Sequence, residues 1–153
     1  MNNFVLVETL LCFVELMSLN VSTDHHLKQH WIYFSRSNYY ISTNRTSWQS
    51  SRNDCLERGA DLIIIDSKEE NEFAGTFKKS LWIGLSDGQN EGNWIWPDGS
   101  PLRKSFWYTR EPNGHSGRDE DCVVITNFNV ENSWNDISCT EANFWICEKK
   151  TGT

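Results

Sequence analysis

No Lys or Arg occurs before Lys28 in this 153-residue chain. The basic flank of a signal peptide or a type II membrane anchor is therefore missing. The apolar run from Phe4 to Leu19 is also broken by Glu8 and Glu15, which leaves it too short and too polar for a membrane span. Residues 1–27 read as a signal-like segment with a spacer, and residues 28–150 as one folded domain. None of the five cysteines (Cys12, Cys55, Cys122, Cys139 and Cys147) stands in a Cys-x-x-Cys pair. That excludes the usual structural zinc and thioredoxin-like motifs. Internal repeats and low-complexity tracts are absent too. Positive charge is scarce: 14 Lys and Arg stand against 21 Asp and Glu, a net charge of −7. Such a balance speaks against nucleic acid and anionic membranes as partners.

What the chain has is aromatic mass. Eight Trp, eight Phe and four Tyr supply a packed interior despite a negative mean hydropathy. Trp31 to Ser42 alternates aromatic and polar residues and predicts strand or hairpin. Thr46-Ser-Trp-Gln49 predicts a capping box opening a helix that runs through Cys55 and stops at Gly59. Leu62 to Ile65 is a short β-branched run, buried on both sides. Ser67-Lys-Glu-Glu70 is a second capping box. Phe73 and Phe77 follow at i, i+4, and Lys78 and Lys79 suit the helix end. From Leu81 onward the apolar bursts are short: Leu81–Leu85, Trp94–Trp96, Val123–Ile125 and Phe144–Cys147. The stretch from about 87 to 121 has little periodicity, and a long structureless loop in a compact domain is either a misassignment or functional. Two helices followed by short strands around such a loop make an α+β domain.

The acid is unevenly spread. Nine carboxylates fall between Asp87 and Asp136, a density that suits a hard cation. Glu111-Pro112-Asn113 sets two side-chain oxygens either side of a proline. Glu120 follows just before Asp121-Cys122, and Asn135-Asp136 comes just before Cys139. Calcium takes about six to eight hard oxygens and accepts a mix of carboxylate, amide and backbone carbonyl. Glu111, Asn113, Glu120, Asn135 and Asp136 supply that mix. The four cysteines of the globular part allow three connectivities. With two asparagine sequons, Asn20-Val-Ser22 and Asn44-Arg-Thr46, they point to an oxidising, extracellular setting, secreted rather than anchored.

These residues resemble the C-type lectin domain, and the resemblance covers about Trp31 to Glu148. Trp82-Ile-Gly-Leu85, the Gly92-Asn-Trp-Ile-Trp96 strand and the terminal Phe144-Trp-Ile-Cys147-Glu148 agree with it. The resemblance implies two helices packed on short antiparallel sheets with a long calcium-binding loop, and no enzymatic activity. It implies disulfides Cys55–Cys147 and Cys122–Cys139, the second tying together the two ligand-bearing segments and contributing on the order of 3 kcal/mol. It also implies a cis peptide before Pro112, and Ca2+ held by Glu111, Asn113, Glu120, Asn135 and Asp136. The same five residues would take a sugar. Glu111 and Glu120 would accept from two vicinal hydroxyls, and Asn113 and Asn135 would donate to them. The Glu-Pro-Asn order looks like the mannose-type members, similar to receptor lectins of myeloid and dendritic cells, and implies glycans with equatorial vicinal hydroxyls (mannose, fucose, N-acetylglucosamine) in glycan or pathogen recognition. Galactose-type members carry Gln-Pro-Asp, which reverses donor and acceptor.

Asp87, Glu91 and Asp121 match the family's auxiliary calcium site by spacing. Gly114 stands where that site's remaining ligand is usual, and Asp119 is an alternative in a loop lengthened before Glu120. The extra cysteine pair that many members carry near the start of the domain is absent. Trp94, Trp96, Trp134 and Trp145 read as core. His115 lies in the binding loop, and His26 with His30 lacks a third ligand for a transition metal. Gly84-Leu-Ser86-Asp-Gly88 fits the nucleophile elbow, but Gln89-Asn-Glu-Gly92 is a poor start for the helix which that motif needs. The rival reading is the same fold used for protein or ice binding, with calcium structural or lost.

Overall fold

In the computed structural model, residues 31–114, 119–126 and 128–152 are described. The expectations for the 1–27 segment, Cys12, the Asn20 sequon, His26, His30 and His115 lie outside these residues. The domain begins with a hairpin of β1 (Trp31–Phe34) and β2 (Ser37–Ile41). Its two-residue turn places Ser35 and Arg36 at positive φ, 41° and 73°. A tight hairpin demands that backbone twist even when glycine and asparagine are absent.

Helix α1 (Trp48–Glu57) starts one residue later than its sequence suggests. Ser47, not Thr46, is the N-cap, and its side chain accepts from the Ser50 amide. Thr46 is unavailable because its backbone pairs with Asn143 in an isolated bridge. The helix ends as expected, with Gly59 in the left-handed region (φ 68°) donating to the Leu56 carbonyl at 3.0 Å. A two-residue β3 (Asp61–Leu62) follows, then helix α2 (Lys68–Gly75), capped by Ser67. Its expected capping box is only half formed. Glu70 gives its amide to Ser67, but its carboxylate takes the Tyr39 hydroxyl (2.6 Å) and the Asp66 amide (3.1 Å) instead. Phe73 and Phe77 meet edge to face, 5.2 Å between centroids.

The remaining strands are β4 (Leu81–Ser86), β5 (Cys122–Ile125), β6 (Trp134–Ile137) and β7 (Phe144–Lys150). The sheet order is β1-β2-β7-β4-β5-β6, with β3 also pairing β7. All pairings whose register is resolved are antiparallel except β4 with β7, which run parallel. The expected strand at Gly92–Trp96 is reduced to bridges of Ile95 with Ser86 and Pro101. No helix follows Ser86 in the segment up to Gly114, so the strand–turn–helix of a nucleophile elbow is not formed.

Both expected disulfides are present. Cys55–Cys147 ties α1 to β7, and Cys122–Cys139 ties the start of β5 to the chain leaving β6. The core gathers Ile63, Ile65, Leu81, Ile83, Leu85, Val123, Ile125 and Ile146 with Trp96 and Trp134. Trp145 is buried beside it, and Trp94 is half-buried against it. Buried indoles need a partner for the N–H. Trp48 finds the Ile83 carbonyl, Trp82 the Thr46 carbonyl, Trp134 the Asn71 side chain and Trp145 the Asp54 carboxylate. No helix among the described residues is long and apolar enough to cross a membrane.

Behind β2, Glu70 and Glu148 are both only 8% exposed and line one cavity of about 200 Å³ with Ser37, Asp66, Arg36 and Lys150. Ser37 donates to Glu148 at 2.7 Å. Burial, helped by the nearby Glu148 and Asp66 charges, pushes the Glu70 carboxyl up to about 7. Burial and the Glu70 charge hold the Tyr39 phenol far above its ordinary range, so it stays a donor. A carboxyl whose pKa rises on folding binds more protons in the folded state. Its stability cost is therefore present above about pH 7 and is relieved as pH falls towards the unfolded value near 4.5. In metal-free buffer, Glu70→Gln should remove a pH-dependent penalty of at most about 3 kcal/mol at pH 8. Melting temperatures of the two proteins at pH 8 and pH 5 measure it. An equal gap at both pH values would contradict this assignment.

Candidate functional site

The loop preceding β5 is anchored by its aromatic residues. Phe106-Trp107-Tyr108 runs beside the start of β6. The Phe106 carbonyl accepts from the Ser133 and Trp134 amides (2.8 and 2.9 Å), and the Tyr108 amide donates to the Trp134 carbonyl (2.8 Å). Trp107 packs edge-on between Trp94 (5.0 Å) and the fully buried Trp134 (5.7 Å). The Tyr108 carbonyl then accepts the Glu111 amide at 2.9 Å, closing a turn in which Arg110 takes φ 74°. The peptide bond between Glu111 and Pro112 is cis, as expected.

Directly after it, the chain is hung on β6. Asp136, 2% exposed, accepts the Asn113 amide on both carboxylate oxygens (3.1 Å each) and the Gly114 amide at 2.9 Å. Asn113 Nδ2 in turn donates to Glu111 Oε2. Burial and the adjoining Asp136 carboxylate push the Glu111 carboxyl above its ordinary range, with Glu120 adding to the effect. Glu111, Asn113, Glu120 and Asp136 thus share one neighbourhood. Asn135, next to Asp136 on β6, has a buried Oδ1 with no hydrogen-bond partner.

A second acidic group adjoins the first. Asp87, Glu91 and Asp121 bring ligand oxygens within 4.8 Å of one another. Asp87 Oδ2 accepts the Gly92 amide at 2.8 Å, while its Oδ1 is buried without a partner. The Asp87 carboxyl is raised by burial first and then by Asp121. The Glu91 carboxyl is raised chiefly by the Asp87 charge. Asp136 also acts on both. Asp119 is exposed and adds to the repulsion at Asp121 and Glu91. A Cβ on Gly114 would come within 3.8 Å of Glu91 Oε1, so the position lacking a ligand side chain does border this group.

An unpaired buried oxygen costs about 1–3 kcal/mol, and each group contains one. Both donor sets are oxygen only, and the Glu111, Asp87, Glu91 and Asp121 carboxyls are raised by burial and by neighbouring charges. A hard divalent cation fits that chemistry. Glu111, Asn113, Glu120, Asn135 and Asp136 could hold one such ion, and Asp87, Glu91 and Asp121 another. Sequence reasoning named these residues but missed the Gly114 amide, the Tyr108 carbonyl and Trp107. The aromatic run 106–108 just ahead of Glu111 was the available signal.

Residues 44–149 match the Lectin C-type domain. The chain belongs to the C-type lectin domain family. It is 40% identical over 147 residues to CD209 antigen-like protein D of Mus musculus, covering 90% of this chain and 60% of that protein. The chain thus spans less than two thirds of that relative's length. Among solved structures it is similar to the cow carbohydrate-recognition domain of CD23, determined in the presence of GlcNAc2Man3 oligosaccharide. That likeness has a TM-score of 0.74 at 33% identity, covering 81% of this chain and 95% of the other. It is also similar to a calcium-independent type II antifreeze protein, with a TM-score of 0.72 at 25% identity over 79% of this chain and 92% of the other. The two helices and antiparallel-rich sheet are those of the family, whose members recognise carbohydrate without enzymatic activity and typically bind Ca2+.

Trp107→Ala should loosen the Glu111 loop without touching any candidate ligand. The expected result is a loss of roughly 2–3 kcal/mol in stability and weaker calcium binding, read by thermal melts and by calorimetric titration with calcium. Unchanged calcium affinity in a folded variant would separate the aromatic cluster from the site.

Proposed function

We propose that this domain binds sugars of the mannose class in a calcium-dependent way. Glu111, Asn113, Glu120, Asn135 and Asp136 hold the ion and contact the sugar. The observation that carries the reading is the convergence of Glu111, Asn113 and Asp136, with Asn135, the preceding residue on β6, carrying a buried oxygen left without a partner. A calcium ion bound there supplies positive charge and coordination positions for two vicinal hydroxyls. The protein's part is to present donors and acceptors in pairs. Asn113 already donates to Glu111. A sugar hydroxyl entering between them accepts from the amide and donates to the carboxylate, so both groups exchange one partner for another. Glu120 and Asn135 act as acceptor and donor for the neighbouring hydroxyl. This order suits equatorial vicinal diols, as in mannose, fucose and N-acetylglucosamine. Asp87, Glu91 and Asp121 form an auxiliary calcium site beside it.

The setting is extracellular, in glycan or pathogen recognition, secreted in preference to anchored. The two disulfides support an oxidising compartment, and the family relationship supports carbohydrate as the ligand. A second reading, protein or ice binding on the same fold, draws on the similarity to a calcium-independent antifreeze protein. A glycan array probed with and without a chelator separates the two. Binding to mannose-type glycans that the chelator abolishes is the expected outcome, and chelator-insensitive binding would overturn the proposal.

The donor and acceptor order can be tested on its own. Glu111→Gln combined with Asn113→Asp reverses it and should move preference from mannose towards galactose, with competition by the two monosaccharides as the measure. Each misplaced hydrogen bond costs about 1–3 kcal/mol, so the preference should move by tenfold or more. Retained mannose selectivity would count against the mechanism.

A further inference from the structure

The connection between β2 and α1 carries chemistry that sugar binding does not use. Asn44-Arg45-Thr46 leads from a bend at Thr43 and Asn44 to the bridge at Thr46, with Thr43, Asn44 and Arg45 all exposed. The backbone of this turn is fixed from several sides. Ser42 Oγ donates to the Asn44 carbonyl at 2.9 Å. The Thr46 amide and carbonyl pair with Asn143 at 3.0 and 3.1 Å, and Trp82 Nε1 donates to the same carbonyl at 2.9 Å. The side chains are uncommitted by contrast. Among the described residues, neither the Asn44 amide nor the Thr46 hydroxyl makes a hydrogen bond. Arg45, between them, is engaged on the Phe144 ring, 4.6 Å from its centroid.

We propose that Asn44 is an N-glycosylation site, with Thr46 as the hydroxyl residue that completes the acceptor triplet. The donor is an oligosaccharide linked through pyrophosphate to a lipid. In the transfer, Nδ2 of Asn44 bonds to the anomeric carbon of the first N-acetylglucosamine and gives up one proton. The carbon–oxygen bond to pyrophosphate breaks, and the lipid pyrophosphate leaves with the electron pair. No oxidant or reductant is needed. The folded domain accommodates the product without rearrangement. The nitrogen that is modified has no hydrogen bond to lose among the described residues, and the residue carrying it is exposed. The bulk of the glycan therefore adds no buried polar group and breaks no pairing in the turn.

The test is peptide mapping of the full chain, expressed behind a cleavable secretion leader in mammalian cells and treated with peptide N-glycosidase. Mapping separates Asn44 from the other sequon at Asn20. The expected result is a glycosylated Asn44 peptide in the secreted wild-type protein, its asparagine converted to aspartate when the glycosidase removes the glycan. Thr46→Val, close in shape and lacking the hydroxyl, should abolish the modification, and Thr46→Ser should retain it. An Asn44 peptide recovered wholly unmodified from secreted wild-type protein overturns the proposal. So does a glycan that persists at Asn44 in Thr46→Val. The wild-type map decides the matter even where a variant fails to be secreted.

Discussion

Both oxygens of the Asp136 carboxylate are committed to backbone amides of another segment, and the loop carrying Glu111 and Asn113 is arranged around that fact. A buried carboxylate must find donors or forfeit its charge. No Lys or Arg among the described residues pairs with Asp136. The donors are the Asn113 and Gly114 amides, which lie immediately past the cis peptide. β6 itself is rigid: it is laddered to β5, seated in the core through Trp134, and held at its far end by Cys122–Cys139. The loop therefore inherits its position from the sheet, although it contains no strand of its own. Glu111 and Asn113 are brought to Asp136 by the same contacts, so the loop that builds the site is also the loop that the site holds in place.

That arrangement leaves acids crowded. Asp136 raises the carboxyls of Glu111 in one group and of Asp87 and Glu91 in the other, so the two groups lie within electrostatic reach. A divalent charge in either relieves repulsion in both. Any such effect is reciprocal, because a charge bound at one group changes the cost of ionising the carboxyls of the other. The Glu70–Glu148 pair behaves differently. Hydroxyls and amides donate to those carboxylates and favour their charged form, but burial outweighs them at Glu70 and pushes its carboxyl up to about 7.

Much of this was legible in the sequence, and the parts that were not have physical causes. The helix starts could be read because capping is local chemistry. The first moved from Thr46 to Ser47 because Asn143, nearly a hundred residues away, claims the Thr46 backbone. The second box lost its reciprocal bond because a buried Tyr39 hydroxyl outcompeted the cap for Glu70. Trp94–Trp96 has strand composition, yet only Ile95 bridges, since left-handed turns at Gly92 and Gly99 confine the pairing on either side. The candidate ligands stood out through residue type and spacing next to cysteines. Their support did not, because Asp136 and Asn113 meet only through the fold.

Gly114 shows how one position bears on both groups. Its amide completes the shell of Asp136, and its missing side chain would have pointed towards Glu91 Oε1. An Asp or Asn there would bring a side chain to the border of the Asp87, Glu91 and Asp121 group. Its positive φ of 44° is a conformation that glycine adopts without strain and that asparagine tolerates better than most residues. With glycine in place, the second group consists of three carboxylates, while the Gly114 amide settles onto Asp136. The residue that borders the second group without adding a side chain to it is thus one of the two whose amides fasten the first.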